Sequence, residues 1–192
     1  MRRIVIAFAV IAALAPASIA SAQGYFSPFA GYDYGDSAGN CPSFFNDCSE
    51  RRTSYGIVFG GLSGGIFGFE QDISYAPNFF GESTELESNS VFTAMSNMVV
   101  AIPAGRVRPY GSVGLGLVKT KVKFTAESLA DFGDTSFGYD LGAGVMVLLP
   151  AHLGLRVDFR RFRTLGGLSI LGLGLDDQKL KFSRISVGLV LH

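Results

Sequence analysis

The sequence contains no tryptophan, only two histidines and only two cysteines in 192 residues. With His152 and His192 the sole imidazoles, there is little from which to build a histidine-based catalytic centre or a zinc site. The 16 basic side chains balance the 16 acidic ones, which leaves no electrostatic footprint for nucleic acid. Beyond the first 22 residues no run of about 18 apolar residues occurs, so the remainder contains no membrane-spanning helix. Yet 48% of the residues are hydrophobic, and all 25 glycines follow that leading segment.

The leading segment reads as an export signal. Arg2 and Arg3 precede an apolar run from Ile4 to Ala15, then Pro16 and the small residues Ala20-Ser21-Ala22. A basic start, a short apolar stretch and an A-x-A site predict cleavage after Ala22. The apolar run is too short for a helical anchor, and no cysteine near the cut offers a lipid attachment point. The expected division is therefore a signal peptide over 1–22 and one domain over 23–192. Losing Arg2 and Arg3 leaves 14 basic against 16 acidic side chains.

The rest divides into strand-like segments at 24–34, 53–62, 66–76, 89–102, 109–124, 136–148, 153–164 and 180–191. Their connections alternate between long (35–52, 77–88, 125–135, 165–179) and short (63–65, 103–108, 149–152). Side chains alternate between the faces of a strand, and the segments carry that period. Leu153, Leu155, Val157 and Phe159 oppose Gly154, Arg156, Asp158 and Arg160; Ile185, Val187, Leu189 and Leu191 oppose Arg184, Ser186 and Gly188. Each segment has one greasy face and one small or charged face. A soluble barrel shares that alternation. The export signal, the loop asymmetry and the glycines opposite the apolar residues favour an all-β, eight-stranded antiparallel transmembrane β-barrel, an up-and-down meander in the bacterial outer membrane. A ten-stranded barrel is the competitor and requires a loop to hide a hairpin.

Membrane barrels carry aromatic girdles near strand ends. Tyr32, Tyr34, Tyr55, Tyr75, Phe92, Phe124 and Phe137 lie toward the long loops, and Phe67 and Tyr110 toward the short turns. Without tryptophan, Tyr and Phe fill this role alone.

Three stretches carry a family resemblance: Pro109-Tyr110-Gly111-Ser112-Val113-Gly114-Leu115-Gly116, Phe137-Gly138-Tyr139-Asp140-Leu141-Gly142-Ala143-Gly144-Val145, and Leu155-Arg156-Val157-Asp158-Phe159-Arg160-Arg161-Phe162. Together they resemble the later strands of the small outer-membrane β-barrel proteins that include OmpX and the OmpA transmembrane domain. The resemblance implies location and fold, because family members differ in role. Two departures stand out. Such proteins often end in an aromatic residue, whereas this chain ends Val190-Leu191-His192, and the peptidoglycan-binding domain that follows OmpA-like barrels is not expected here. Enzymes on such barrels act on lipid A and need a histidine near the extracellular rim. His152 falls in a short turn and His192 is terminal, so no enzyme and no cofactor are expected.

The inward parity carries Glu70, Asp72, Asp140 and Asp158 with Arg156, Arg160 and Arg184. An eight-stranded interior is just wide enough for side chains, so a salt-bridged plug is expected in preference to a narrow ion path. On the outward parity Lys119, Lys121, Lys123, Arg161, Arg163 and Lys181 appear where the apolar runs end near the long loops. They read either as a collar for lipopolysaccharide phosphates or as ordinary solvated charge. Cys41 and Cys48 read as a local disulfide in an exported chain, with metal binding the rival. The apolar loop 166–175 reads as a hairpin extension or a partner contact. A monomer is expected, contacting outer-membrane lipid and lipopolysaccharide, with a surface ligand for the loops and no nucleic acid.

Overall fold

The alternation read from the sequence builds one closed sheet. The computed structural model describes residues 22–35, 51–79, 86–124, 132–165, 168–170, 173–175 and 180–192. Its strands are β1 Ala22–Tyr34, β2 Arg51–Ser63, β3 Phe67–Pro77, β4 Leu86–Ala101, β5 Val107–Phe124, β6 Phe132–Leu148, β7 Leu153–Thr164, β8 Leu168–Ile170, β9 Leu173–Leu175 and β10 Lys181–Leu191. Eight of them close a barrel in the order β1-β10-β7-β6-β5-β4-β3-β2, while β8 and β9 form a separate two-stranded hairpin. The extra hairpin of the ten-stranded alternative therefore exists, but it stays outside the ring.

Every neighbouring pair is antiparallel, and β1 closes on β10 from Phe26↔Leu191 to Tyr34↔Ser183. Closure leaves no sheet edge, so the barrel wall satisfies its own backbone hydrogen bonds, as a span through hydrocarbon requires. β1 starts at Ala22, so a cut after that residue removes only the Ala22↔Ser63 pair.

β4 and β6 start earlier than their side-chain alternation predicts, at Leu86 and Phe132. Backbone pairing continues where alternation has stopped, with a register shift between Leu86 and Ser88. The three short connections turn on left-handed residues: Gly64 (φ 58°) and Gly65 (φ 72°), Gly105 (φ 68°), then Ala151 (φ 65°) and His152 (φ 60°).

The greasy parity faces out. Leu115 is 62% exposed and Phe137 67%, and Leu141, Val157 and Val187 are also open. Among the described residues no helix is long and apolar enough to cross a membrane; the crossing elements here are strands. The girdle holds at Tyr32, Tyr34, Tyr55, Tyr75, Phe92, Phe137 and Phe67, all exposed. Tyr110 is a correction. It lies on the parity opposite Val113 and Leu115, so it turns inward and is only 5% exposed. The Phe124 side chain lies outside the described residues, as do the signal segment 1–21 and both Cys41 and Cys48.

Candidate functional site

The inward parity of eight strands converges on one narrow space, and its contents are layered. Toward the short turns, Val58, Leu62, Val99, Ala101, Met146 and Val190 form a buried apolar layer with Tyr25 and Tyr110. Toward the long loops, Ala76, Phe79, Val91, Met95, Val118, Phe162, Leu180 and Phe182 form a second one. The inner face is therefore not only small or charged, as the alternation alone suggests. At the long-loop end Phe182 stacks on Phe162 with centroids 4.7 Å apart and meets Phe79 edge-on at 5.0 Å.

Between the layers lie Glu70, Asp72, Asp140, Asp158, Arg156, Arg160 and Arg184, all buried. Arg156 is bidentate to Glu70, with Nη1 2.9 Å from Oε2 and Nη2 3.1 Å from Oε1. Its Nη2 also reaches Asp158 Oδ2 at 3.2 Å, and its Nε donates to the Tyr110 hydroxyl at 2.7 Å. Tyr110 in turn donates to Asp158. Tyr25 donates to Glu70 Oε2 at 2.5 Å.

Arg160, 1% exposed, is the hub. Its guanidinium meets Asp158 Oδ1 at 2.7 Å, Asp140 Oδ2 at 3.2 Å and Asp72 Oδ2 at 3.4 Å, and it pairs with Glu70. Asn97 completes this group. With its amide nitrogen toward Asp140, the orientation that satisfies both polar atoms, it donates to that carboxylate at 2.5 and 3.2 Å and accepts from Arg160 Nη1 at 2.8 Å. Glycine makes the room: a Cβ at Gly114 would sit 2.6 Å from Asp140 Oδ1, and one at Gly144 would sit 2.5 Å from the Tyr110 ring.

Arg184 anchors a second group. It is bidentate to Asp33, at 2.6 and 3.1 Å, and donates to Ser74 Oγ at 2.6 Å. Ser54 donates to Asp33 at 3.2 Å, Ser74 and Thr93 share a hydrogen bond of 2.5 Å, and the guanidinium lies 4.9 Å over the Phe162 ring. Asp72 stands between the groups and is held most loosely. Its Oδ1 lies 4.0 Å from Arg184 Nη1 and takes no hydrogen bond. Such pairing matters, because an unpaired charge in a low-dielectric interior costs several kcal/mol.

The sequence reading missed Asp33, Tyr25, Tyr110 and Asn97. Asp33 shares its parity with Ser27 and Gly31, a signal readable in β1. The two tyrosines and Asn97 are uncharged, and a count of charges passes over them.

The outward basic residues fall into two places. Arg163 and Lys181 are direct cross-strand partners on β7 and β10, and Arg161 lies beside them opposite Ser183. Lys119 and Lys121 stand exposed on β5, with β6 between them and β7. The Lys123 side chain lies outside the described residues. His152 and His192 meet at the short-turn end, their rings 5.9 Å apart. Among the described residues no group of three or more His, Cys, Asp or Glu is placed to hold a metal.

Comparison with known proteins agrees with this architecture. Residues 4–192 match the family described as outer membrane protein beta-barrel domain. No curated protein sequence matches the chain. Among solved structures, Neisserial surface protein A superposes with a TM-score of 0.65 at 17% identity, covering 88% of this chain and 97% of that one. Ail of Yersinia pestis, solved in complex with the heparin analogue sucrose octasulfate, gives 0.59 at 13% identity over 89% and 98%. OprG of Pseudomonas aeruginosa gives 0.53 at 15% identity over 90% and 97%.

Proposed function

Because the chain belongs to the outer membrane protein β-barrel domain family, we propose that it serves the bacterial outer membrane as a sealed, non-enzymatic barrel. In this reading residues 1–22 are a cleaved export signal, and the long-loop face acts in envelope structure or surface interaction. One observation carries the sealed lumen: a paired charge layer fills the middle of the barrel and is closed above and below by apolar layers. A hydrated ion would have to shed water at two apolar constrictions and then displace ion pairs already made.

The non-enzymatic part rests on placement. Both histidines lie at the short-turn end, away from the face where an outer-leaflet substrate would arrive, and the buried carboxylates are already bound to arginine and tyrosine. On the outer wall, Arg161, Arg163 and Lys181 form a compact basic patch for lipopolysaccharide phosphates, extended by Lys119, Lys121 and Lys123 on β5. Long basic side chains at such positions can lay their stems along apolar surface while the charged heads reach the headgroup level.

Single-channel recording of the purified protein in a planar lipid bilayer tests the reading. A flat baseline is expected for the native protein. Replacing Phe162 and Phe182 together by alanine thins the long-loop layer and is expected to leave that baseline flat, because the charge layer remains. Resolved unitary steps from the native protein would overturn the seal and favour a narrow pore for small solutes.

A further inference from the structure

One polar contact lies on the wrong side of the wall. Gln71 of β3 and Ser96 of β4 are direct cross-strand partners on the outward parity, and Ser96 Oγ donates to Gln71 Oε1 at 2.7 Å. Everything flanking them is apolar. Along β3 their neighbours on this face are Phe69 and Ile73, along β4 Ala94 and Met98, and across the ladders Phe59 on β2 and Leu115 on β5.

Depth makes the pair costly. Gln71 lies four residues from girdle residue Phe67 and four from girdle residue Tyr75. At about 3.3 Å per residue and a tilt near 40°, it stands about 10 Å inside either girdle, near the middle of the hydrocarbon. Lys119, Thr53 and Ser183, also polar and on the outward parity, sit near the long-loop ends of their strands. The Ser96 bond satisfies the Gln71 carbonyl oxygen, but the amide nitrogen carries two further N–H donors. Acyl chains offer those donors no acceptor, and a polar group facing hydrocarbon without a partner is expensive.

We infer that the β3–β4 wall around Gln71 and Ser96 is a docking surface for a second copy of this chain. The chemistry is self-complementary. Both copies insert in the same sense, so a twofold axis along the membrane normal brings each pair against its equivalent. Each Gln71 amide then donates to the carboxamide or hydroxyl oxygen of the partner's pair, and the contact is isologous. The surrounding surface suits such a contact: Phe59, Phe69 and Met98 are of the residue types enriched at interface centres, and Ala94 beside Ser96 admits close approach. A lipid headgroup has acceptors but lies at the girdle, not at this depth. The dimer goes beyond the monomer that the sequence suggests.

The test uses the full-length protein labelled at its amino terminus with donor or acceptor dye. The two populations are mixed in phosphatidylcholine vesicles, and energy transfer is followed as lipid dilutes the protein. The native protein should show transfer above the random-encounter level that falls on dilution. The variant Gln71→Leu/Ser96→Ala should need about tenfold higher surface density for the same transfer. The variant folds, because it replaces polar groups facing lipid by apolar ones, and unheated gel migration verifies that. Val187→Ala on β10 should match the native protein. Transfer no higher than random encounter for the native protein, or an unchanged density dependence for the double variant, overturns the proposal.

Discussion

Glu70 and Arg156 stand on β3 and β7, four places apart in a ring of eight strands, and yet form a bidentate ion pair at 2.9 and 3.1 Å. The pair spans the full width of the barrel. It fastens opposite walls that share no backbone ladder, so the lumen charges act as cross-braces and do not merely line a wall. Arg160, also on β7, does the same for Glu70 and Asp72.

From this follows the cost of removing the hub. Arg160→Ala leaves Glu70, Asp72, Asp140 and Asp158 facing one another with one guanidinium fewer. A loss of about 3–5 kcal/mol in unfolding free energy is expected, measured by urea titration of the detergent-folded protein. Asp72→Asn should change stability by less than about 1 kcal/mol, since Asp72 Oδ1 accepts no hydrogen bond. Equal effects from the two substitutions would mean that the charges do not work as a paired set.

Tyr110→Phe tests the uncharged part of the network. The hydroxyl accepts from Arg156 Nε and donates to Asp158 Oδ2, so its loss strands the Nε donor in the buried lumen and takes one of two bonds from Asp158 Oδ2, which keeps Arg156 Nη2. A destabilisation of about 1.5–3 kcal/mol is expected in the same titration, with the heat-dependent gel shift of the folded barrel retained.

Glycines separate by face. A Cβ at Gly116 would fall against the Ala94 carbonyl oxygen and 2.7 Å from Met95 Cα; one at Gly60 would fall against the Phe69 carbonyl oxygen and 2.7 Å from Glu70 Cα. Both clashes are with backbone, which cannot step aside. Gly116→Ala and Gly60→Ala should each cost about 1–3 kcal/mol or reduce the folded yield. Gly24→Ala and Gly111→Ala, where the nearest atom is 3.8 and 3.9 Å away, should fold as the native protein does. Folded yield on unheated gels distinguishes the two classes.

These cases also show what the sequence makes legible. Period-two alternation in β7 and β10 is unambiguous because Leu, Val and Ile face Arg, Asp and Gly, and it puts Arg156, Asp158, Arg160 and Arg184 on the inner face; the same period in β3 and β6 adds Glu70, Asp72 and Asp140. It does not reveal the apolar layers. Phe162 and Phe182 sit on the charged parity, where they look like exceptions until the fold shows them stacked together. Nor can alternation pair strands across a lumen: that Glu70 meets Arg156 depends on the inclination and closure of the sheet, which no single strand encodes. Tyr110 was misplaced because aromatic residues near strand ends suggest a girdle, while its own parity points inward.

The turn between β6 and β7 holds Ala151 in the left-handed region at φ 65°, where a Cβ crowds the following carbonyl. Gly105, at φ 68° in the turn between β4 and β5, is the relaxed equivalent. Ala151→Gly is expected to stabilise the barrel by about 0.5–1 kcal/mol and Gly105→Ala to destabilise it by a similar amount. A higher urea midpoint for Ala151→Gly together with a lower one for Gly105→Ala is the expected result. The reversed pair of signs would mean that chain entropy, not backbone strain, governs both turns.

The basic patch on β7 and β10 makes its own prediction. Lys181 lies directly across from Arg163, with Arg161 two residues along the same face. Two like charges opposite each other on adjacent strands repel, and an anion bound beside them lowers that repulsion. On the proposed reading, lipopolysaccharide phosphates at the outer headgroup level bind there through charge-assisted hydrogen bonds. Serine at Arg161, Arg163 and Lys181 should lower the lipopolysaccharide that co-purifies from outer membranes by severalfold. A triple variant that keeps its full complement of lipopolysaccharide would show that these side chains are simply hydrated charge above the membrane.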